Sequence, residues 1–224
     1  MIHAFTLGFL QLKDPRILRL VVISVLCTIV VYAALFAGVG WLLRTTTVTE
    51  LPWLDTLFDA GAGVSAAILA WLLFPGIVTG VVGVFLDDVV AAVEARHYAQ
   101  KGAGRDVPTM EIVGSSLKLM GATIGLNLLM LPLYVLLVFL PPLNLVLYYL
   151  VNGRLLGREY FETVALRRLD ARAMAEMRQS HRWTVWAAGA LTTALLTVPF
   201  VNMVAPVVGT AAMVHLFHKL TVRT

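Results

Sequence analysis

The chain contains few charged residues and one cysteine. Charged side chains make up 13% of its 224 residues, against roughly 25% in soluble proteins. The single cysteine, Cys27, excludes an intrachain disulfide and argues against a thiolate metal site, so we expect it to pack as a small apolar residue. Charge is scarce because long apolar stretches carry almost none, which predicts an all-α integral membrane protein.

Two apolar stretches carry no charge and are long enough to cross a bilayer. Leu20–Leu43 and Ala60–Leu86 contain no charged residue, and each exceeds the about 20 residues that a spanning helix needs. We therefore predict two long transmembrane helices, at 17–43 and 60–86.

Two further apolar stretches, at 119–153 and 183–214, are interrupted by proline. Proline lacks an amide donor and disfavours helix in the residue before it. We expect half-length helices that meet at a turn, so that each stretch enters the membrane and returns as a hemi-penetrating, re-entrant hairpin. The expected breaks are at Pro132, Pro141, Pro142, Pro199 and Pro206.

An alternative for the third stretch stays open. Leu119–Leu140 is long enough to span alone with a proline kink, and Leu143–Gly153 would then lie in the membrane interface. Under that alternative, the arginine-rich connector that follows would lie outside the cell.

The net charge of +4 comes from basic residues that flank the apolar stretches. They do not form a run interleaved with aromatic residues, so we expect contact with lipid headgroups and no nucleic acid. Lys13, Arg16 and Arg19 precede the first span and predict a cytoplasmic N-terminus. The basic connectors at 87–118 and 154–182 are predicted to be cytoplasmic as well.

Side chains typical of catalysis are sparse. The apolar stretches hold no carboxylate pair, His-x-x-x-His pattern or glycine-rich phosphate motif, so we expect no enzyme activity, cofactor or metal. His215 and His218 share a helix face without a third ligand, and we expect them to cap the helix at the membrane interface.

The segment before the first span, AFTLGFLQLKDPRILR, suits an anion. Arg16 and Arg19 follow Pro15 at the foot of the predicted helix. Guanidinium groups and the free amides of a helix start together suit a tetrahedral oxyanion. The alternative is that both arginines extend to lipid headgroups.

Four segments in collinear order resemble the CysZ sulfate permease family and the wider etoposide-induced-protein-like family. They read AFTLGFLQLKDPRILRL, FLDDVVAAVEARHY, NGRLLGREYFETVALRR and PFVNMVAPVVGTAAMVHLFHKL. The resemblance implies a multi-pass protein of the bacterial inner membrane that imports sulfate for cysteine biosynthesis. It also implies two transmembrane helices, two hemi-penetrating hairpins and assembly into a homo-oligomer.

The family's sulfate site has a Gly-Leu-Thr-Gln-Ile-type motif and two adjacent arginines. The matching stretch here keeps the glycine and the glutamine but has Leu10 in place of the threonine, and its arginines are three positions apart. Carried over residue by residue, the resemblance implies anion contacts at Gly8, Phe9, Leu10, Gln11, Arg16 and Arg19.

The sequence thus predicts a permease or channel for sulfate or a related small oxyanion, selective through amide and guanidinium donors. Its expected partners are the anion, membrane lipids and further copies of itself. The alternative is a non-transporting membrane scaffold that docks lipids or proteins through Arg154–Arg182. Anion-dependent stabilisation separates the two, because a scaffold should not prefer sulfate to chloride.

Overall fold

The computed structural model describes residues 1–45, 61, 63–65, 85–102, 104–105 and 107–221. Within these residues all regular structure is helical, which confirms the all-α prediction. The chain divides into two compact units, Met1–Leu18 with Leu86–Thr224, and Arg19–Phe85. The α-helices are α1 (Ile2–Gln11), α2 (Pro15–Thr45), α3 (Leu86–His97), α4 (Thr109–Leu136), α5 (Pro141–Ala165), α6 (Ala171–Ser180), α7 (Arg182–Thr197) and α8 (Ala205–Leu220).

The described part of the second unit is mainly α2. Its segment Pro15–Trp41 is long and apolar enough to cross a membrane, which agrees with the first predicted span. Cys27 is exposed on α2, so our expectation that it packs in a core is wrong. Only 11% of the apolar window of this helix is buried in the described structure. The second predicted span, 60–86, lies almost entirely outside the described residues.

Helices α4 and α5 form an antiparallel hairpin in the first unit. Asn144 Nδ2 lies 3.5 Å from the carbonyl oxygen of Tyr134, and the chain turns at Leu137–Phe139, directly before Pro141. The predicted break at Pro132 is wrong, because α4 continues through that residue. A helix loses one backbone hydrogen bond at an internal proline, and membrane helices tolerate this.

The lengths of these two helices also correct the half-length prediction for this stretch. Helix α4 has 28 residues and α5 has 25, so they are about 42 Å and about 38 Å long. Leu117–Phe139 is itself long and apolar enough to cross a bilayer. Both the re-entrant hairpin and the single span therefore fit the length, and the membrane depth of this hairpin stays a prediction.

Helices α7 and α8 form the second hairpin and are shorter. Each has 16 residues, which is about 24 Å and less than the roughly 30 Å of a hydrocarbon core. The break lies at Val198–Val204, where Phe200 has a left-handed φ of 64°. Pro206 lies in the first turn of α8, where its fixed φ favours a helix start.

Helix α8 is the central helix of the first unit. It is buried from Ala205 through His218 and packs against α1, α3, α5 and α7. Glycines allow the neighbouring helices to approach closely: a Cβ at Gly189 of α7 would overlap the Gly153 carbonyl oxygen and the Gly157 amide of α5. This tight core positions the ends of α1, α3, α5 and α8 next to one another.

Candidate functional site

Four of the six residues predicted to bind an anion lie in the last turns of α1. The backbone amides of Gly8 through Gln11 are inside this helix, where they donate to carbonyls of the preceding turn. Phe9 and Leu10 are exposed. A Cβ at Gly8 would lie 2.7 Å from the Val208 carbonyl oxygen, so this glycine permits close packing of α1 on α8. Of these four residues, Gln11 is the one with a polar side chain.

The start of α2 is capped by a carboxylate of the chain itself. The Arg16 amide donates to Asp14 Oδ1 at 2.9 Å, and Arg96 Nη1 donates to Asp14 Oδ2 at 2.5 Å. These two hydrogen bonds hold the pKa of Asp14 below its usual value. Asp14 therefore uses the amide that we expected an external anion to use. The side chains of Arg16 and Arg19, the latter in the second unit, are exposed.

Gln11 lies in a buried polar cluster. Its side chain is 3% exposed. Gln11 Nε2 is 2.5 Å from His97 Nε2 and 3.4 Å from His215 Nε2, and His215 Nδ1 is 2.8 Å from the Tyr98 hydroxyl. Gln11 Oε1 is buried and has no hydrogen-bond partner among the described residues. A buried amide oxygen without a partner marks a place where a further polar group would be stabilised.

The cluster continues to an ion pair between α3 and the turn that follows α5. Arg168 Nε donates to Glu94 Oε1 at 2.8 Å, and His218 Nε2 donates to the same oxygen at 3.1 Å. The Tyr98 ring stacks on His218 with 3.9 Å between centroids. We call the seven residues the Gln11 cluster; they are Gln11, Glu94, His97, Tyr98, Arg168, His215 and His218.

Burial and hydrogen bonding act in opposite directions on Glu94. Its exposed fraction is 5%, and burial alone would raise the pKa of its carboxyl group. The hydrogen bonds from His218 and Arg168 outweigh that effect and lower the pKa to about 2. The carboxylate is therefore ionised at neutral pH and neutralised by its partners, which is how a charge is accommodated in a buried place.

Sequence analysis missed most of the Gln11 cluster. We expected His215 and His218 to cap a helix at the membrane interface, but both are buried, so that expectation is wrong. Their partners come from α1, from α3 and from Tyr98 directly after α3, all far away in the sequence. One local signal was present: Glu94 follows Val90 by four positions and so falls on the buried face of α3.

Acidification is expected to destabilise the fold through His215. Burial, together with the charges of His97 and His218, lowers the pKa of His215 from 6.5 to about 4. Between these values the unfolded chain binds a proton that the folded protein does not bind. The free energy of unfolding should therefore fall by up to about 3 kcal/mol as the pH falls through this window. Denaturant unfolding of the detergent-purified protein at a series of pH values measures this.

Two variants identify the source of that pH dependence. A His215→Gln variant should lose less stability over the same window, whereas His181→Gln, on the half-exposed residue before α7, should keep the wild-type slope. Equal slopes in all three proteins would assign the pH dependence to other groups.

The arrangement offers hydrogen-bonding groups and one neutralised ion pair inside an apolar helical unit. Such groups can bind and orient a polar solute.

The comparison with known proteins agrees with a membrane setting: residues 4–206 match the family described as Sulfate transporter CysZ/Etoposide-induced protein 2.4. No individual curated protein matches the chain. Since residues 4–206 make up most of its length, the protein belongs to the sulfate transporter CysZ/etoposide-induced protein 2.4 family.

Proposed function

We propose that this protein is a membrane permease for sulfate or a similar small oxyanion. The observation that carries the proposal is the family match over residues 4–206. Two segments long and apolar enough to cross a bilayer, Pro15–Trp41 and Leu117–Phe139, support the membrane setting. By the same family membership, the protein would act in the bacterial inner membrane, supply sulfate for cysteine biosynthesis and assemble as a homo-oligomer.

The proposed topology places the basic connectors on one side of the membrane, with the N-terminus in the cytoplasm. Contacts within the first unit support a shared side. The Arg105 amide, just before α4, donates to the Arg167 carbonyl oxygen, just after α5, at 2.9 Å. Lys101 Nζ lies 3.4 Å from Thr221 Oγ1, just after α8. The segments before α4, after α5 and after α8 are therefore neighbours, which is consistent with connectors on one side of the membrane.

The proposed anion contacts remain those at Gly8, Phe9, Leu10, Gln11, Arg16 and Arg19. These residues would contribute in different ways. The two exposed guanidinium groups supply positive charge, and the Gln11 side chain supplies a buried amide. Gly8 contributes by letting α1 approach α8. No step of this proposal involves catalysis or a cofactor.

Sulfate uptake into proteoliposomes tests the function. Wild-type protein is expected to take up labelled sulfate well above empty liposomes, and Arg19→Ala to reduce the initial rate roughly tenfold, because one charge-assisted hydrogen bond is worth about 1.5 kcal/mol or more. Arg172→Ala is the matched control, since this exposed arginine pairs with Glu176 on its own helix. Wild-type flux equal to that of empty liposomes would refute the permease and favour a scaffold.

A further inference from the structure

A second group of basic residues lines a cavity in the first unit. The cavity has a volume of about 210 Å³ and is partly open. Four arginines from three helices reach it: Arg154 and Arg158 from α5, Arg178 from α6 and Arg182 from α7. A water molecule occupies about 30 Å³ of liquid, so the cavity has room for a small anion with some of its hydration.

The positive charge in this cavity is mostly not neutralised by the protein. Glu162 accepts from Arg158 Nε at 2.6 Å and lies 3.4 Å from Arg178 Nε. Within the described part of the chain, Arg154 and Arg182 have no carboxylate within ion-pair distance. Three positive charges are therefore in excess around one cavity.

Crowding of these charges is costly in the absence of an anion. Burial lowers the pKa of Arg178 from its ordinary value, and although Glu162 opposes that shift, the charges of Arg158 and Arg154 add to it. Arg178 Nε is also buried without a hydrogen-bond partner in the described residues. A solvated surface arginine would have neither property, since water would satisfy its donors.

Two neutral features of the cavity also favour an anion. Helix α7 begins at Arg182, and Arg182, Val185 and Trp186 of its first turns line the cavity, so the positive end of its dipole is close by. Gln179 lines the cavity as well and carries an amide donor. Donors of different kinds thus converge on one small volume.

We infer that this cavity binds a tetrahedral oxyanion of the sulfate or phosphate class, either as a free ion or as the headgroup of an anionic lipid. Planar guanidinium forks pair two oxygens of such an anion at once. The site is built from α5, α6 and α7 and shares no residue with the predicted anion-binding stretch at Gly8–Arg19. It requires binding but not transport, so it does not depend on the permease proposal.

Calorimetric titration of the full-length protein in neutral detergent tests the inference. At constant ionic strength maintained with chloride, the wild type is expected to bind sulfate saturably, and an Arg154→Gln/Arg182→Gln double variant to bind it at least about tenfold more weakly. Both side chains are exposed and lack ion-pair partners in the described structure, so the fold should survive. Arg172→Gln removes one charge from an exposed residue at the start of α6 that does not line the cavity, and it should leave the affinity unchanged.

A second arm distinguishes the two sources of the oxyanion. The three proteins are placed in nanodiscs of phosphatidylcholine with or without phosphatidic acid, and retained lipid is counted by native mass spectrometry. If the wild type binds sulfate in detergent and the double variant does not, the ligand is a free ion. If the wild type binds no sulfate but retains phosphatidic acid, and the double variant does not retain it, the ligand is the lipid headgroup.

Equal behaviour of the double variant and Arg172→Gln in both arms would overturn the inference. The flux assay separates this outcome from failure of the permease: binding without wild-type flux leaves the cavity site standing, and flux without cavity binding leaves the permease standing.

Discussion

A Gly189→Ala variant is expected to be less stable than the wild type by about 3 kcal/mol or more. The added methyl group would overlap backbone atoms of Gly153 and Gly157 on α5. Backbone atoms cannot move aside as a flexible side chain can, so α5 and α7 would have to separate. Since α7 and α5 both pack on α8, the whole first unit would be affected. Denaturant unfolding in detergent micelles gives the change.

The same substitution at another helical glycine serves as the matched control. Gly114 lies on α4, where an added Cβ would meet nothing within 4 Å. Alanine has a higher helix propensity than glycine, so Gly114→Ala should be neutral or stabilise by up to about 1 kcal/mol. The two variants are thus expected to differ in sign. If Gly189→Ala proved as stable as the wild type, α5 and α7 could not be in backbone contact.

A Glu94→Gln variant is expected to lose about 3 kcal/mol of stability at neutral pH. Removing the charge leaves Arg168, whose side chain is 14% exposed, without its carboxylate partner, and breaking one side of a buried ion pair is strongly destabilising. Glu176→Gln is the control, because its pair with Arg172 is on the surface and should be worth less than about 1 kcal/mol.

The pH dependence of the Glu94 effect provides a second test. Because the pKa of this carboxyl is about 2 in the folded protein against 4.5 ordinarily, its contribution is complete above 4.5 and is lost as the pH falls towards 2. The difference in stability between wild type and Glu94→Gln should therefore shrink over that window. A difference that stays constant would show that the variant acts through packing and not through charge.

The sequence predicted the helices better than it predicted the turns. The uncharged runs identified α2 and both hairpin regions, because in a membrane every backbone amide must be paired within its own segment. The prolines did not show by themselves where the helices break. Pro132 lies inside α4, whereas Pro141 and Pro206 begin helices. Proline fits the first turn of a helix and is tolerated inside a membrane helix, so composition cannot distinguish these cases.

The Gln11 cluster shows a different limit of sequence reasoning. Gln11 was selected through the family resemblance, but its contacts with His97 and His215 join α1, α3 and α8. Nothing in the local sequence brings these residues together. The same holds for the arginine-lined cavity, where Arg158 and Arg178 are close only because α5 and α6 fold against one another.

By itself, the order of residues determined that the chain is helical, that its apolar stretches suit a membrane and that basic residues border them, since these properties depend on hydrophobicity and charge along short segments. The tertiary structure alone decided which polar groups are buried and paired. Burial and pairing depend on contacts between distant segments, and here close approach of glycine-containing helices makes those contacts possible.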